Sequence, residues 1–245
     1  MPTIPDLSDP RFLDEIGWFL YHEKYGRDRF GGSYESERLA NSRLLLAEVV
    51  QYLGADIPWI EGKTVVSIGS GCTGDLAAFP AAVKLAIDPL LYTYQKLGML
   101  MRDEAGSPTV YLSTGAENLP LLDDFADLVI SRNALDHMPD PAAGLKEMWR
   151  ILKKAGALFV SVDLGGVPTP DEPTVFSKES LCGLLGAYFD IAVLTDDHAP
   201  HSVGRTRSCR VLAMKNQRAG HPLDKEEILR AYESHLPRFR SVSGK

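Results

Sequence analysis

The sequence predicts an α/β chain, a doubly wound and mostly parallel sheet behind a helical N-terminal extension. Three observations predict it. From Lys63 onward, seven short β-rich runs take turns with helical stretches. Those runs are apolar throughout, as strands covered on both faces must be. A glycine-rich turn follows the first run, and an aspartate closes the second. Residues 1–60 are read as the extension, 61–216 as the main domain and 217–245 as a C-terminal helical tail.

Asp9 to Gly26 reads as the first helix, with Phe12, Ile16, Phe19 and Leu20 at helical spacing and a glycine at its end. A Gly31-Gly32 turn leads into a second helix from about Glu35 to Leu53. Its last turns put Leu46, Val49, Val50 and Leu53 on one stripe. The first strand is Thr64–Ile68, followed by a helix from Thr73 that stops near Pro80. Val83–Ile87 precedes a helix from Pro89 to about Arg102, and Thr109–Leu112, a loop and Asp127–Ser131 come next. Pro141–Leu152 is a helix with Asp140 as N-cap, Pro141 in first position and Leu145, Met148, Trp149 and Leu152 as its stripe. Ala157–Val162 is a strand, and Ser177 to about Ala187 a helix. The closing strands, Ile191–Thr195 and Ser208–Met214, are joined by a loop alone, which makes them antiparallel. Asp224–Leu236 reads as an outer C-terminal helix.

Composition narrows the partners. The chain has 245 residues, 44% hydrophobic and 24% charged, a globular balance. A net charge of −7 argues against a dedicated nucleic-acid binder. No run approaches the ~18 apolar residues that cross a bilayer, and the opening residues lack the basic and apolar regions of a secretory signal. Cys72, Cys182 and Cys209 are odd in number and widely spaced, which speaks against structural zinc and for a reducing cytoplasm. The expectation is a cytoplasmic protein that binds neither nucleic acid nor membrane. Oligomeric state leaves no signature.

Gly69-Ser70-Gly71-Cys72-Thr73-Gly74 forms a G-x-G-x-x-G directly after the first strand. Glycine suits that place because a side chain would block close approach of a ligand to the backbone. Asp88 closes the second strand, nineteen residues after Gly69, where a carboxylate can accept hydrogen bonds from both ribose hydroxyls of a nucleoside. Dinucleotides and S-adenosylmethionine share this fingerprint, and the downstream chain separates them. Ala116-Glu117-Asn118-Leu119-Pro120, Asp127–Ser131, Asn133-Ala134-Leu135-Asp136-His137-Met138-Pro139-Asp140-Pro141 and Leu145–Lys153 follow in order, ending in Gly156–Val160. This succession resembles the class I S-adenosylmethionine-dependent methyltransferases, especially those acting on small molecules, over about residues 60–215.

The resemblance implies a Rossmann-like seven-stranded sheet with its last strand antiparallel, an S-adenosylmethionine cofactor and a small-molecule methyl acceptor. It implies that Gly69, Ser70, Gly71 and Gly74 flank the methionine part, that Asp88 holds the ribose, and that Pro89 and Leu90 cover an adenine face. Ala116 and Glu117 would lie at the adenine edge, with Arg132 and Asn133 at the methionine end. The extension would fold over the cofactor as a lid. Three departures stand out: Ser67 where many relatives carry an acid, Gly115 where an aspartate often meets the adenine amino group, and Lys154-Ala155-Gly156 in place of Pro-Gly-Gly. The first two remove charge-assisted bonds worth ~1.5–3 kcal/mol each. They leave room for a non-catalytic relative, and a nicotinamide-dependent oxidoreductase would use the same glycines and Asp88.

Methyl transfer needs an in-line nucleophile, and an oxygen acceptor also needs a base. His137, past the fourth strand, is the candidate base; it reads equally as a cap on the next helix. In the loop joining the last strands, His198, His201 and Arg205 are candidates to hold the substrate. A metal on His198, His201 and Asp163 is the lesser reading, so no metal is expected. Tyr21, Tyr25 and Tyr34 either line the acceptor pocket or pack two helices together, and Trp18 reads as packing. Cys72 reads as a filler of the glycine turn rather than a nucleophile.

Overall fold

A computed structural model describes residues 8–30, 34–201 and 204–216. The expected Gly31-Gly32 turn and the helix over Asp224–Leu236 lie outside them. Two long helices open the chain, α1 (Pro10–Phe30) and α2 (Tyr34–Leu53), followed by a short α3 (Ile57–Glu61) capped by Asp56. Helix α1 runs through Gly26, because one glycine inside a helix costs only ~1 kcal/mol. Next come β1 (Thr64–Ile68), β2 (Val83–Ile87), α4 (Leu91–Lys96), β3 (Thr109–Leu112) and β4 (Ala126–Arg132). A 3₁₀ turn (Leu135–His137) and α5 (Pro141–Ile151) lead into β5 (Leu152–Leu164). Helix α6 (Lys178–Gly186) and the antiparallel pair β6 (Phe189–His198) and β7 (Arg207–Lys215) complete it.

The seven strands form one sheet in the order β3-β2-β1-β4-β5-β7-β6, parallel except for β7. This is the Rossmann-like methyltransferase fold. Strand order reverses at β1, and its end is level with its neighbours: Ile68 pairs with Ile87 on one side and Ser131 on the other. The residues just past these three strands therefore meet at one edge of the sheet, at the switch point.

Helices cover both faces. Leu145, Met148, Leu181 and Leu185 from α5 and α6 pack on one side, and Leu45, Val49 and Ile60 from α2 and α3 on the other. Asp140 caps α5 by accepting from Ala143 N at 3.0 Å, and Ser177 caps α6 in a reciprocal box with Ser180. A third cluster joins Ile16 and Phe19 of α1 to Cys72, Leu90, Tyr94 and Met99 at the strand ends. No described helix is long and apolar enough to cross a membrane.

The glycine turn brings a correction: no helix follows it, and residues 73–79 form a run of turns. Side chains of α2 take the backbone groups a helix would use. Ser42 Oγ donates to Asp75 O at 2.7 Å and accepts from Ala78 N at 2.9 Å. Buried Arg38 donates to the Cys72 carbonyl and, at 2.7 Å, to that of Met99. Gly74 adds a left-handed φ of 72°. Helix α4 is also shorter than expected, ending before Gly98 at φ 71°.

Candidate functional site

The carboxyl edge around β1 opens into a cavity of about 220 Å³. Its floor is Ile68 and Gly69 from β1, Ile87 to Leu90 from β2, and Asn133 and Ala134 past β4. Thr114 to Glu117 form one wall, and His137, Met138 and Pro139 the other. Arg11, Phe12 and Glu15 of α1, with Asp171 from the loop after β5, complete the lining.

Close packing explains the glycines. A Cβ on Gly69, which has a φ of 68°, would fall 2.2 Å from the Ala134 Cβ. At Gly71 it would fall 3.0 Å from the Phe19 ring, so α1 lies directly on the glycine turn. Asp88, 9% exposed, holds this turn from beneath: Oδ2 accepts from Gly71 N at 3.0 Å and Oδ1 from Leu90 N at 2.8 Å. Burial pushes its pKa up to about 6, against the pull of those two bonds. Each carboxylate oxygen keeps a lone pair for a further donor.

Two buried oxygens in the lining have no hydrogen-bond partner among the described residues, Glu117 Oε1 and Asn133 Oδ1. Buried acceptors are normally satisfied, so both fit a ligand that brings donors. Asn133 sits at a φ of 48°, a left-handed conformation rare outside glycine. The Glu117 carboxylate also accounts for Gly115, because a Cβ there would meet Glu117 Oε2 at 2.7 Å. A carboxylate therefore lies beside position 115, although the residue there has none. At Ser67 the nearest acid is Asp75, whose Oδ2 accepts from Ser67 Oγ at 3.3 Å.

Of the cofactor residues expected from the sequence, Gly69, Asp88, Pro89, Leu90, Ala116, Glu117 and Asn133 line the cavity; Ser70, Gly71, Gly74 and Arg132 do not. Arg132 instead binds Asp75 Oδ1 at 2.5 Å, which anchors the turns after Gly74. Gly71 is covered by Phe19, Ser70 Oγ turns to the Gly71 carbonyl, and Gly74 packs on Met101. Cys72 is buried and its thiol is pushed up to about 12 by that burial, as a filler requires.

His137 lines the cavity, with Nε2 3.9 Å from Glu172 Oε1. None of the residues expected to hold substrate does. Tyr21 and Tyr25 are 61% and 48% exposed on the outer side of α1, and Tyr34 sits beneath the Arg38 guanidinium. Trp18 is half exposed rather than packed inside. His198 Nε2 bonds with Thr195 Oγ1 at 2.9 Å, and His201 Nε2 with Ser161 Oγ at 3.2 Å. Arg205 is buried, donating from Nε to Glu172 Oε2 at 2.7 Å and from a terminal nitrogen to the Gly165 carbonyl at 2.9 Å. Its partner is this chain's own carboxylate.

Sequence reasoning missed Arg11, Phe12, Glu15 and Asp171. Burial pushes Glu15 up to about 7; His137 opposes the shift, and Asp88, Asp171 and Glu172 add to it. Glu15 sits about one turn after Phe12 and next to Ile16, beside the apolar stripe, where a solvated face is the ordinary reading.

Residues 67–160 match the methyltransferase domain family. No curated protein matches the chain in sequence. Among solved structures, a SAM-dependent methyltransferase of Methanosarcina mazei is 18% identical with a TM-score of 0.53, over 63% of this chain and 93% of that one. The 1,6-didemethyltoxoflavin-N1-methyltransferase of Burkholderia thailandensis, solved with 1,6-didemethyltoxoflavin and S-adenosylhomocysteine, is 18% identical with a TM-score of 0.53, over 85% and 90%. The [4+2]-cyclase SpnF is 17% identical with a TM-score of 0.54, over 71% and 80%. At these identities the likeness is one of fold.

Proposed function

We infer that this chain, a class I S-adenosylmethionine-dependent methyltransferase, acts on a small molecule, with oxygen favoured over nitrogen as the methyl acceptor. The observation that carries this reading is the shared cavity of Asp88, the unpartnered Glu117 Oε1 and Asn133 Oδ1, and His137. S-adenosylmethionine, when bound, supplies a methyl group already activated by its sulfonium. Asp88 offers acceptors to the ribose hydroxyls, Glu117 to the adenine amino group and Asn133 to the ammonium of the methionine part. Pro89 and Leu90 supply the apolar contact for the adenine face.

Phe12, Met138 and Pro139 offer apolar lining for an acceptor, with His137 beside them as a proton-accepting group. An acceptor hydroxyl would be held in line with the methyl that the bound sulfonium supplies, and His137 would accept the proton that the hydroxyl gives up. Glu172 Oε1, 3.9 Å from Nε2, stabilises the imidazolium that results. With Glu117 standing in at Gly115, the lost acid no longer argues for a non-catalytic relative.

Calorimetric titration with S-adenosylhomocysteine tests the reading. The wild type binds; Asp88→Ala weakens binding at least tenfold, ~1.4 kcal/mol. His137→Ala binds within twofold of wild type, yet turns over an oxygen acceptor ~10²–10⁴ times more slowly. No heat at millimolar ligand would overturn the cofactor assignment, and unchanged turnover would remove His137 as the base.

A further inference from the structure

Asp136, in the 3₁₀ turn after β4, is 1% exposed, and neither carboxylate oxygen has a hydrogen-bond partner among the described residues. Burying a carboxylate without donors is costly unless a cation or a proton meets it. The charged groups around it are His137, Glu172 and Asp163, and one ligand atom from each of Asp136, His137 and Glu172 lies within 4.8 Å of the other two. An ion with bonds of about 2.1 Å holds its ligands roughly 3–4 Å apart, so side-chain movements of up to about an ångström close the set around one.

The site is built by the fold. Thr174 N donates to the Asp136 carbonyl at 3.2 Å, joining the two loops that carry the carboxylates. Arg205 Nε takes Glu172 Oε2 at 2.7 Å, which fixes that side chain and turns Oε1 toward His137. Arg205 offsets one negative charge, and Asp136 remains as the excess. We propose that Asp136, His137 and Glu172 bind one divalent transition-metal ion, Mn²⁺ or Zn²⁺, in the wall of the cavity. Two carboxylates and an imidazole suit those ions better than Ca²⁺ or Mg²⁺. An organic ammonium does not fit, since Asp136 has almost no exposed surface and is reached past His137.

Because His137 lines the cavity, the ion would sit in its wall. Its catalytic consequence rests on the methyl-transfer reading; its binding does not. An ion there would occupy the imidazole nitrogen that otherwise takes the acceptor's proton, so His137 would serve as the base in the metal-free chain, and in the loaded chain the ion would supply the acidity instead.

The test uses the full chain, stripped of metal by dialysis against chelator, without cofactor or acceptor. MnCl₂ is titrated by the loss of the free-ion electron paramagnetic signal, and ZnCl₂ by calorimetry. One ion per chain is expected, bound at least thirtyfold more weakly by Asp136→Asn, whose metal-free melting temperature equals or exceeds that of the wild type. Should Asp136→Asn fail to fold, His137→Ala, at a cavity-facing position, reads the same loss. No binding below millimolar metal, or equal affinity in a folded variant, would overturn the site. Titrating S-adenosylhomocysteine into the same samples keeps the two readings apart: metal without nucleoside leaves the site standing alone, and nucleoside without metal leaves only the cofactor site.

Discussion

Between Gly71 and Leu90, the Asp88 carboxylate closes two backbone turns at once, and burial holds its pKa near 6. Glu15 stands above the cavity with a pKa near 7. Both values are raised above the usual carboxylate range, so the folded chain binds more protons than the unfolded one between about pH 4 and pH 7. The sign follows: these two groups stabilise the ligand-free protein at acid pH, and that contribution is lost as pH rises through 6 to 7. The expected outcome is a melting temperature that climbs by several degrees from pH 8 to pH 5.5, measured by scanning calorimetry, with a flatter slope in Asp88→Asn. Asp88, Glu117, Asn133 and His137 were legible in the sequence because each directly follows a strand or a strand-end loop whose place the sheet order dictates. Glu15 and Asp171 were not, since what a helix or loop side chain faces depends on packing that spacing along the chain does not encode.

Among the elements, β2 carries the least expected side chain. Lys84 has no exposed surface, and its Nζ donates to the Leu76 carbonyl at 3.1 Å, the Ala105 carbonyl at 2.6 Å and Asp103 Oδ1 at 2.5 Å. One ammonium thus ties the turns after the glycine motif to the loop before β3. Lys84→Met is expected to cost ~3 kcal/mol, because it strands Asp103 and two carbonyls; chemical denaturation measures it. The strands themselves were readable to within a few residues, because an apolar run bounded by glycine and proline has one reading. The helix expected from Thr73 was not there to be read, since Arg38 and Ser42, more than thirty residues earlier, hold its backbone in turns. β5 also starts earlier than its apolar run, running straight on from α5 at Leu152. Its turn at Lys154-Ala155-Gly156, with Ala155 at a φ of 62°, sits inside the strand.

At the scale of the molecule, the sheet and the extension divide the work. The sheet brings residues from β1, β2 and β4 to one edge, and α1 lays Arg11, Phe12 and Glu15 across it. That an extension would cover the edge was implied by the resemblance; the residues facing inward were not, because α1 is apolar on both sides, with Leu13, Trp18, Leu20 and Tyr21 turned outward. The ring of Phe19 lies against Gly71, and the Trp18 indole meets that ring edge-on at 5.0 Å while stacking on His22 at 4.1 Å. The other two tryptophans, Trp59 and Trp149, lie beneath Lys63 and Lys215 and are absent from the cavity lining. Phe12 and Glu15 of α1 face into the cavity, so a ligand that shifts this helix carries Trp18, already half in water, along with it. The chain therefore carries its own optical gauge of occupancy: tryptophan emission should change as S-adenosylhomocysteine is added to the wild type and stay flat in Trp18→Phe.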